Sequence, residues 1–385
     1  MSWDSGVLAP EERASLALRG LFEQYGYRKY RMGQFEEYSL YMDNKSFLPS
    51  ENVIAFTDLD GRLMALKPDV TLSIVRHAAE RPATAEKLYY IESVYRPSAE
   101  SHTFKEISQM GVEYIGRVDR YAMAEVAALA AKSLAEVGDD YLLEIGHMRF
   151  TAALLDALGL EDGPRARALD ALARKNAPAL RAAAAGAGLS AEDGAVLGEL
   201  AGLYGPVPAT LARARALCRC GEMAQALDEL EEVCAAVAAV SCGARLQLDL
   251  SLVNGTGYYN GLLLRGYLKD LPRAVLAGGR YDDILKKFGK AGGGIGFALD
   301  LSEIARLPGG RAAAEIDLLI RYGPQADAAL VAKAVDAAAR QGMRVRALPQ
   351  GEDAGLLRWT RQARLGDDGA LEEMEKGGGA AWESC

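Results

Sequence analysis

The chain has 385 residues, half of them apolar and a quarter charged, enough to bury a full hydrophobic core. Its 53 acidic residues outnumber 44 basic ones, for a net charge of −9 without a Lys/Arg-rich run. Nucleic acid, whose binders draw affinity from neutralised phosphates, is therefore not an expected partner.

No apolar run approaches the roughly 20 residues that cross a bilayer, so no membrane association is expected. The start, MSWDSGVLAPEER, lacks the basic flank and apolar centre of a signal peptide. Five cysteines (Cys218, Cys220, Cys234, Cys242, Cys385) include no C-x-x-C pair, and only His77, His102 and His147 are present. They read as free thiols of a reducing cytoplasm, with no metal or other cofactor expected.

In chain order, Glu11 to Tyr25 reads as an amphipathic helix entered by Pro10 and ended by Gly26. VIAFTDLDGRLMALKPD predicts two strands around an Asp60-Gly61 turn. KLYYIESVYRP and FKEISQMGVEYIG are two further strands, followed by a helix from Asp119 to Val137 and the strand YLLEIGHM. Short polar connections between successive strands predict an antiparallel sheet. From Arg149 to Ser241 the chain is rich in Ala, Leu, Arg and Glu without a strand signal, and reads as inserted short helices. Strands resume at RLQLDLSLV and run to GGIGFALDLSEI. IDLLIRY, a helix over residues 325–341, and RVRALP form a βαβ-like unit, and the charged last thirty residues read as a frayed tail.

GGGIGFALD fails the G-x-G-x-x-G/A spacing of a dinucleotide site, and no phosphate-binding loop, G-x-S-x-G or H-E-x-x-H occurs. What remains is a set of polar residues beside glycines. Lys67, Asp69 and Thr71 follow the hairpin in LKPDVTL, and Arg96 ends a strand in VYRP. Gln109 and Glu113, four apart in SQMGVEY, project from one face of an extended strand. Tyr258 and Tyr259 lie in LVNGTGYYNG, and Arg280, Tyr281 and Asp282 in AGGRYDD. Glycine inside a strand marks a bulge or a close approach of ligand or backbone. Singly, each polar residue is a solvated strand position or a satisfied core group; grouped beside glycines, they point to a small-molecule pocket.

These motifs resemble the catalytic core of histidyl-tRNA synthetase, a class II aminoacyl-tRNA synthetase, over roughly residues 10–305. Lys67-Pro68-Asp69-Val70-Thr71 is similar to its R-P-E-G-T segment, and Tyr95-Arg96 with Gln109 to Glu113 to its motif 2. Leu252 to Tyr259 is similar to L-V-R-G-L-D-Y-Y, and Gly278 to Asp282 to G-G-R-Y-D. The resemblance implies an α+β fold: a class II synthetase-like antiparallel sheet flanked by helices, with an inserted helical segment and a small C-terminal α/β unit. The implied domains are a discontinuous core (1–148 and 242–309), an insertion (149–241) and a C-terminal unit with a frayed tail (315–385). It further implies a histidine site made by Asp69, Thr71, Arg96, Gln109, Glu113, Tyr258, Tyr259 and Tyr281. Glu113 and a tyrosine would face the imidazole, and Asp69, Thr71 and Gln109 the α-amino group.

The departures concern ATP chemistry. The family's catalytic arginine is Asn254 here, its motif 3 arginine falls at Glu303, and its motif 1 proline at Gly33. The motif 2 loop, Pro97 to Thr103, is short and lacks the family's usual basic residues, and the C-terminal unit is short for an anticodon-binding domain. A histidine-binding core without adenylate chemistry resembles the family of ATP phosphoribosyltransferase regulatory subunits. That resemblance implies a non-catalytic subunit that activates a short-form catalytic subunit and mediates histidine feedback in histidine biosynthesis. The implied assembly is a homodimer within a hetero-oligomer, with histidine as effector. The alternatives are a synthetase-like ligase that activates an amino acid with ATP, and a scaffold with a vestigial pocket.

Overall fold

The computed structural model describes residues 8–44, 53–78, 84–97, 103–241, 243, 245–253, 258–307, 315–355 and 357–374. They divide into two compact units, one spanning Leu8–Leu307 and the other holding the residues after Leu307.

The larger unit opens with α1 (Pro10–Gln24), where the Glu12 carboxylate accepts from the Ala9 amide at 2.8 Å and Ala14, Leu18 and Phe22 form the buried stripe. Strands β1 (Arg28–Lys29) and β2 (Phe35–Glu37) and the short α2 (Tyr38–Met42) follow. The hairpin β3 (Ala55–Thr57) and β4 (Leu63–Leu66) turns at Gly61, whose φ of 81° is left-handed. It joins β2 in a separate three-stranded sheet, and α3 (Thr71–His77) comes next. Lys67, Asp69 and Thr71 thus lead from that small sheet into a helix; they are not strand residues of the main sheet.

The long hairpin β5 (Glu86–Pro97) and β6 (Phe104–Gly116) precedes α4 (Arg120–Val137), whose N-cap Asp119 accepts from Ala122 N at 3.0 Å. After β7 (Tyr141–His147) come α5 (Met148–Ala157), α6 (Asp162–Ala173), α7 (Ala177–Gly186) and α8 (Ala191–Glu199). The short β8 (Tyr204–Pro206) then leads to α9 (Val207–Ala216) and α10 (Gly221–Val240). The unit closes with β9 (Leu246–Asp249), β10 (Leu262–Leu268), β11 (Leu276–Arg280), α11 (Asp282–Lys287), β12 (Gly293–Asp300) and α12 (Leu301–Ile304).

Nine strands make the main sheet, in the order β1-β5-β6-β12-β11-β10-β7-β9-β8. The expectation of an antiparallel sheet needs correcting at two places: β1 runs parallel to β5, and β7 parallel to β9. Parallel neighbours need a crossover, and the helices from α5 to α10 are that crossover between β7 and β9. The segment also contains a strand that composition did not reveal, since Tyr204–Pro206 is too short to show a period and pairs antiparallel with β9.

Alanine-rich α4 packs close against the sheet. A Cβ at Gly266 of β10 would come within 2.7 Å of Leu134 on that helix, so the strand needs glycine there. One buried cluster runs from Phe22 and Tyr89 through α4 to Leu180 and Leu197, so sheet and crossover helices share a core.

The smaller unit is built on β13 (Ile316–Tyr322), α13 (Ala328–Arg340) and β14 (Val345–Pro349), a parallel βαβ arrangement. The frayed-tail reading is corrected in part. Trp359–Leu365 forms β15, parallel to β13, and Leu371–Met374 forms β16 at the edge. In β15, Ala363 and Leu365 point inward while Arg364 between them faces out, an alternation masked by the charged residues around it. Residues 375–385 lie outside the described residues.

One ionic contact ties the crossover to the sheet. The buried Asp249 carboxylate accepts from Ser251 N at 2.8 Å, Ser251 Oγ at 2.5 Å and Lys175 Nζ at 2.7 Å. Lys175 sits between α6 and α7 at φ 51°, and its ammonium lies 4.0 Å over the Tyr204 ring. Asp249→Ala strands these donors and is expected to lower unfolding free energy by about 2–4 kcal/mol in urea titrations. Lys175→Gly relieves the left-handed backbone but leaves the buried Asp249 with only its Ser251 donors, and is expected to cost about 1–2 kcal/mol, less than Asp249→Ala.

Candidate functional site

On β6, Gln109, Gly111 and Glu113 point to one face. The register sets Glu92, Tyr90 and Leu88 of β5 beside them on one side, and Asp300, Ala298 and Gly296 of β12 on the other. Opposed residues of neighbouring strands share a face, so Tyr90, Glu92, Gln109, Glu113 and Asp300 belong to one surface. Two hydrophobic cores divide along this sheet: Met110 and Val112 pack with α4, while Tyr90, Ile115 and Tyr281 pack with α3 and α11.

The glycines now have a physical reason. A Cβ at Gly296 would fall 2.0 Å from Glu113 Oε2 and 2.3 Å from Val112 O. At Gly294 it would fall 2.2 Å from the Tyr281 ring, at Gly111 2.5 Å from the Tyr90 hydroxyl, and at Gly279 2.9 Å from the Tyr259 ring. Each large pocket side chain lies flat over a glycine of the next strand. GGGIGFALD is therefore part of a pocket floor, and its failed dinucleotide spacing follows from that role.

Glu113 sits at the centre and is 2% exposed. Thr71, the first residue of α3, donates its hydroxyl to Oε1 at 2.6 Å, and the Tyr281 hydroxyl donates to Oε2. Burial pushes the Glu113 carboxyl up to about 8, against the pull of those two hydroxyls, and the nearby Asp69 charge adds to the rise. Tyr281 reaches it because α11 begins at Asp282, which turns the phenol back over the sheet. The rings of Tyr258 and Tyr259 meet edge-on at 4.8 Å, and Tyr258 also approaches Tyr281 at 6.1 Å. All three phenols are held above their ordinary range by burial and by nearby carboxylates.

Asp69 has local work: its Oδ1 accepts from Leu72 N at 2.8 Å, capping the first turn of α3. Burial raises its carboxyl, and Arg96 opposes that rise. Arg96 donates Nε to Pro68 O at 2.7 Å and places Nη2 3.8 Å from Asp69 Oδ2. Gln109 shares the face with Glu113, about 13 Å along the strand, and its amide makes no hydrogen bond among the described residues. Thr71, Arg96, Glu113, Tyr258, Tyr259, Tyr281 and Asp69 thus gather over one face of the sheet, with Gln109 on the same face toward Glu92 and Asp300.

Two members of the sequence constellation have other duties. Arg280 points to the opposite side of the sheet, toward Met123, and is held there by Asp282 at 2.8 Å. Lys67 is fully buried and pairs with Glu92 at 2.6 Å. Tyr90 was missed. Its alternation with Leu88 and Glu92 was visible, but only the register shows that this face of β5 is the pocket face. Asn254 and the motif 2 loop residues 98–102 lie outside the described residues. Among the described residues, no group of His, Cys, Asp or Glu side chains is placed to hold a metal ion.

Gly296→Ala would force Glu113 and the β6 backbone apart. It is expected to destabilise the fold by about 1–3 kcal/mol and to distort the Thr71–Glu113–Tyr281 clamp. Gly186→Ala, at a helix end with open space around it, is the control and should be neutral or slightly stabilising in the same urea titration.

The family pattern described as histidyl-tRNA synthetase matches residues 8–304. An ATP phosphoribosyltransferase regulatory subunit from Anaeromyxobacter sp. strain Fw109-5 is 38% identical over 322 residues, covering 78% of this chain and 91% of the relative. The crystal structure of an ATP phosphoribosyltransferase regulatory subunit/histidyl-tRNA synthetase from Bacillus halodurans superposes with a TM-score of 0.73 at 24% identity, covering 90% of each chain. A chain of the ATP phosphoribosyl transferase (HisG:HisZ) complex from Thermotoga maritima superposes at 0.59 with 18% identity, covering 74% of this chain and 96% of that one. At these identities the two structures bear on the fold alone. Residue identity with the Anaeromyxobacter relative goes further, and the chain belongs to the family of ATP phosphoribosyltransferase regulatory subunits, built on the histidyl-tRNA synthetase fold.

Proposed function

We propose that the chain holds free histidine in this pocket and conveys its level to phosphoribosyl transfer on a separate short-form catalytic subunit, which it also activates. An imidazole has two ring nitrogens, each wanting a partner. Glu113 and the surrounding phenols offer partners for both, and Asp69, Thr71 and Gln109 are the groups for the α-ammonium. The synthetase-like name of the fold family fits the same ligand without requiring the same chemistry.

The observation that carries the non-catalytic reading is the charge along the pocket face. Stabilising the phosphates of an adenylate needs preorganised cations. Here the surface beyond Gln109 presents Glu92 and Asp300, and Glu303 follows on α12. Their nearby cations are engaged: Lys67 on Glu92 at 2.6 Å and Arg306 on Glu303 at 3.0 Å. A triphosphate would meet carboxylates there. Histidine-dependent pyrophosphate–ATP exchange by the purified chain is expected to be absent, and a robust signal would restore the ligase reading.

Feedback through this pocket is tested on the complex reconstituted with its catalytic subunit. Glu113→Gln keeps the shape but removes the carboxyl that can exchange a proton with the ring, weakening a hydrogen bond worth about 1.5–3 kcal/mol. The histidine inhibition curve should move about 10- to 100-fold to higher concentration. An unmoved curve places the feedback site elsewhere.

We further propose that the chain is a homodimer, paired through the segment around residues 26–41 and the small sheet. Phe35, 56% exposed, packs its ring edge-on against Phe56 at 5.1 Å, and Leu63 at the end of the sheet is also exposed. An uncovered aromatic face of this kind suits a second copy better than water. Light scattering at micromolar concentration should give a dimer, and Phe35→Asp should give a monomer. A monomeric wild type would count against this pairing.

A further inference from the structure

The clamp around Glu113 contains no cation. Among the described residues its hydrogen-bond partners are the hydroxyls of Thr71 and Tyr281, and no Lys, Arg or His nitrogen forms an ion pair with it. The titratable groups facing it come from every packed element. Asp69 stands before α3, Tyr90 and Arg96 on β5, Tyr258 and Tyr259 before β10, and Tyr281 before α11. Arg96 is the one cation of that set, and it is turned to Pro68 O and Asp69. A carboxylate here would be buried without an opposite charge, which is why its proton is held up to about 8. Near neutral pH this burial favours the carboxylic acid form of Glu113. Both oxygens can keep their partners in that state, because the Thr71 hydroxyl also meets the Tyr258 hydroxyl and can turn to accept.

We propose that Glu113 and the imidazole of bound histidine hold a single proton between them, so that the pocket selects a ring whose basicity matches that carboxyl. The inference rests on the reading of the pocket as a histidine site and deepens it. The proton on the Glu113 oxygen meets the ring nitrogen's lone pair and lies in that hydrogen bond, on either atom; none need leave the pocket. The other ring N–H is left for a phenol oxygen, and neither the Tyr259 nor the Tyr90 hydroxyl makes a hydrogen bond among the described residues. A ring of the same shape but far weaker basicity could not stabilise the shared proton, and a strongly basic side chain would have to strip or bury a full charge. Selection by matched basicity adds to selection by shape.

The proton count on binding tests this. The ordinary imidazole value is about 6.5 and the Glu113 value about 8, so near pH 7.2 free ring and free carboxyl together already hold about one proton. Calorimetric titration of the purified chain with L-histidine, in buffers of different ionisation enthalpy, should then show almost no net proton exchange at pH 7.2. By the same linkage, about 0.75 proton should be released at pH 6.0 and about 0.75 taken up at pH 8.5. Affinity should fall on both sides of pH 7.2. Glu113→Gln should abolish that uptake at pH 8.5, and the comparison of wild type with variant cancels the titration of the ligand's own α-amino group.

Release of about one proton at pH 7.2 would overturn the proposal, because the ring would then sit neutral against a carboxylate. So would equal proton counts in wild type and Glu113→Gln at pH 8.5, where the shared proton has to be taken up. Absence of any binding by a folded wild-type chain would instead remove the histidine reading itself, and the shared proton with it.

Discussion

The structure turns on the flat approach of three strands, β6, β12 and β11, at positions where side chains are missing. Gly111, Gly279, Gly294 and Gly296 leave room directly above the sheet, and Tyr90, Tyr259, Tyr281 and Glu113 occupy it. A β-carbon at Gly296 would stand where the carboxylate oxygen is. The sheet gives up side chains of its own on this face and seats the polar side chains of neighbouring strands there instead. The covering elements α3 and α11 are then positioned by the pocket groups themselves, since Thr71 opens one helix and Tyr281 precedes the other.

That arrangement sets the electrostatics of this face. A carboxyl buried between two hydroxyls is costly to ionise, and the pocket keeps it because its partners are complete without a cation. The far end of the same face is different. Carboxylates of Glu92 and Asp300 flank Gln109, and the buried Lys67 is spent on Glu92. The polarity of this face therefore runs from a neutral, phenol-lined end to an anionic one, which opposes a nucleotide triphosphate.

The helical crossover is coupled to this sheet through shared core and through one ionic knot. Lys175, Asp249, Ser251 and Tyr204 bring together a turn, the strand β9 and the short β8. Because β7 and β9 run parallel, the crossover is a topological requirement of the sheet as well as an attachment to it. Beside the pocket, Arg280 and Tyr281 leave β11 toward opposite faces, so one short segment contributes both to the α4 core and to the site.

Much of this was legible in the residues alone. The period of two in KLYYIESVYRP and FKEISQMGVEYIG, the Asp-Gly turn and the glycine-flanked tyrosines identified strands, a hairpin and a pocket, because local spacing decides which side chains share a face. Thr71, Glu113, Tyr258, Tyr259 and Tyr281, which the structure gathers over one face, were nameable for the same reason, helped by motif resemblance. What the sequence could not determine depends on which strands become neighbours. The parallel edges of the sheet, the strand hidden in the helical segment and the strands β15 and β16 arise from pairings distant in sequence. Tyr90 entered the site, and Arg280 left it, by register and strand direction. The protonation of Glu113 is likewise a tertiary property. Its ionisation is governed by the burial supplied by α3, α11 and β12, and no stretch of sequence around Gly111 to Tyr114 contains that desolvation.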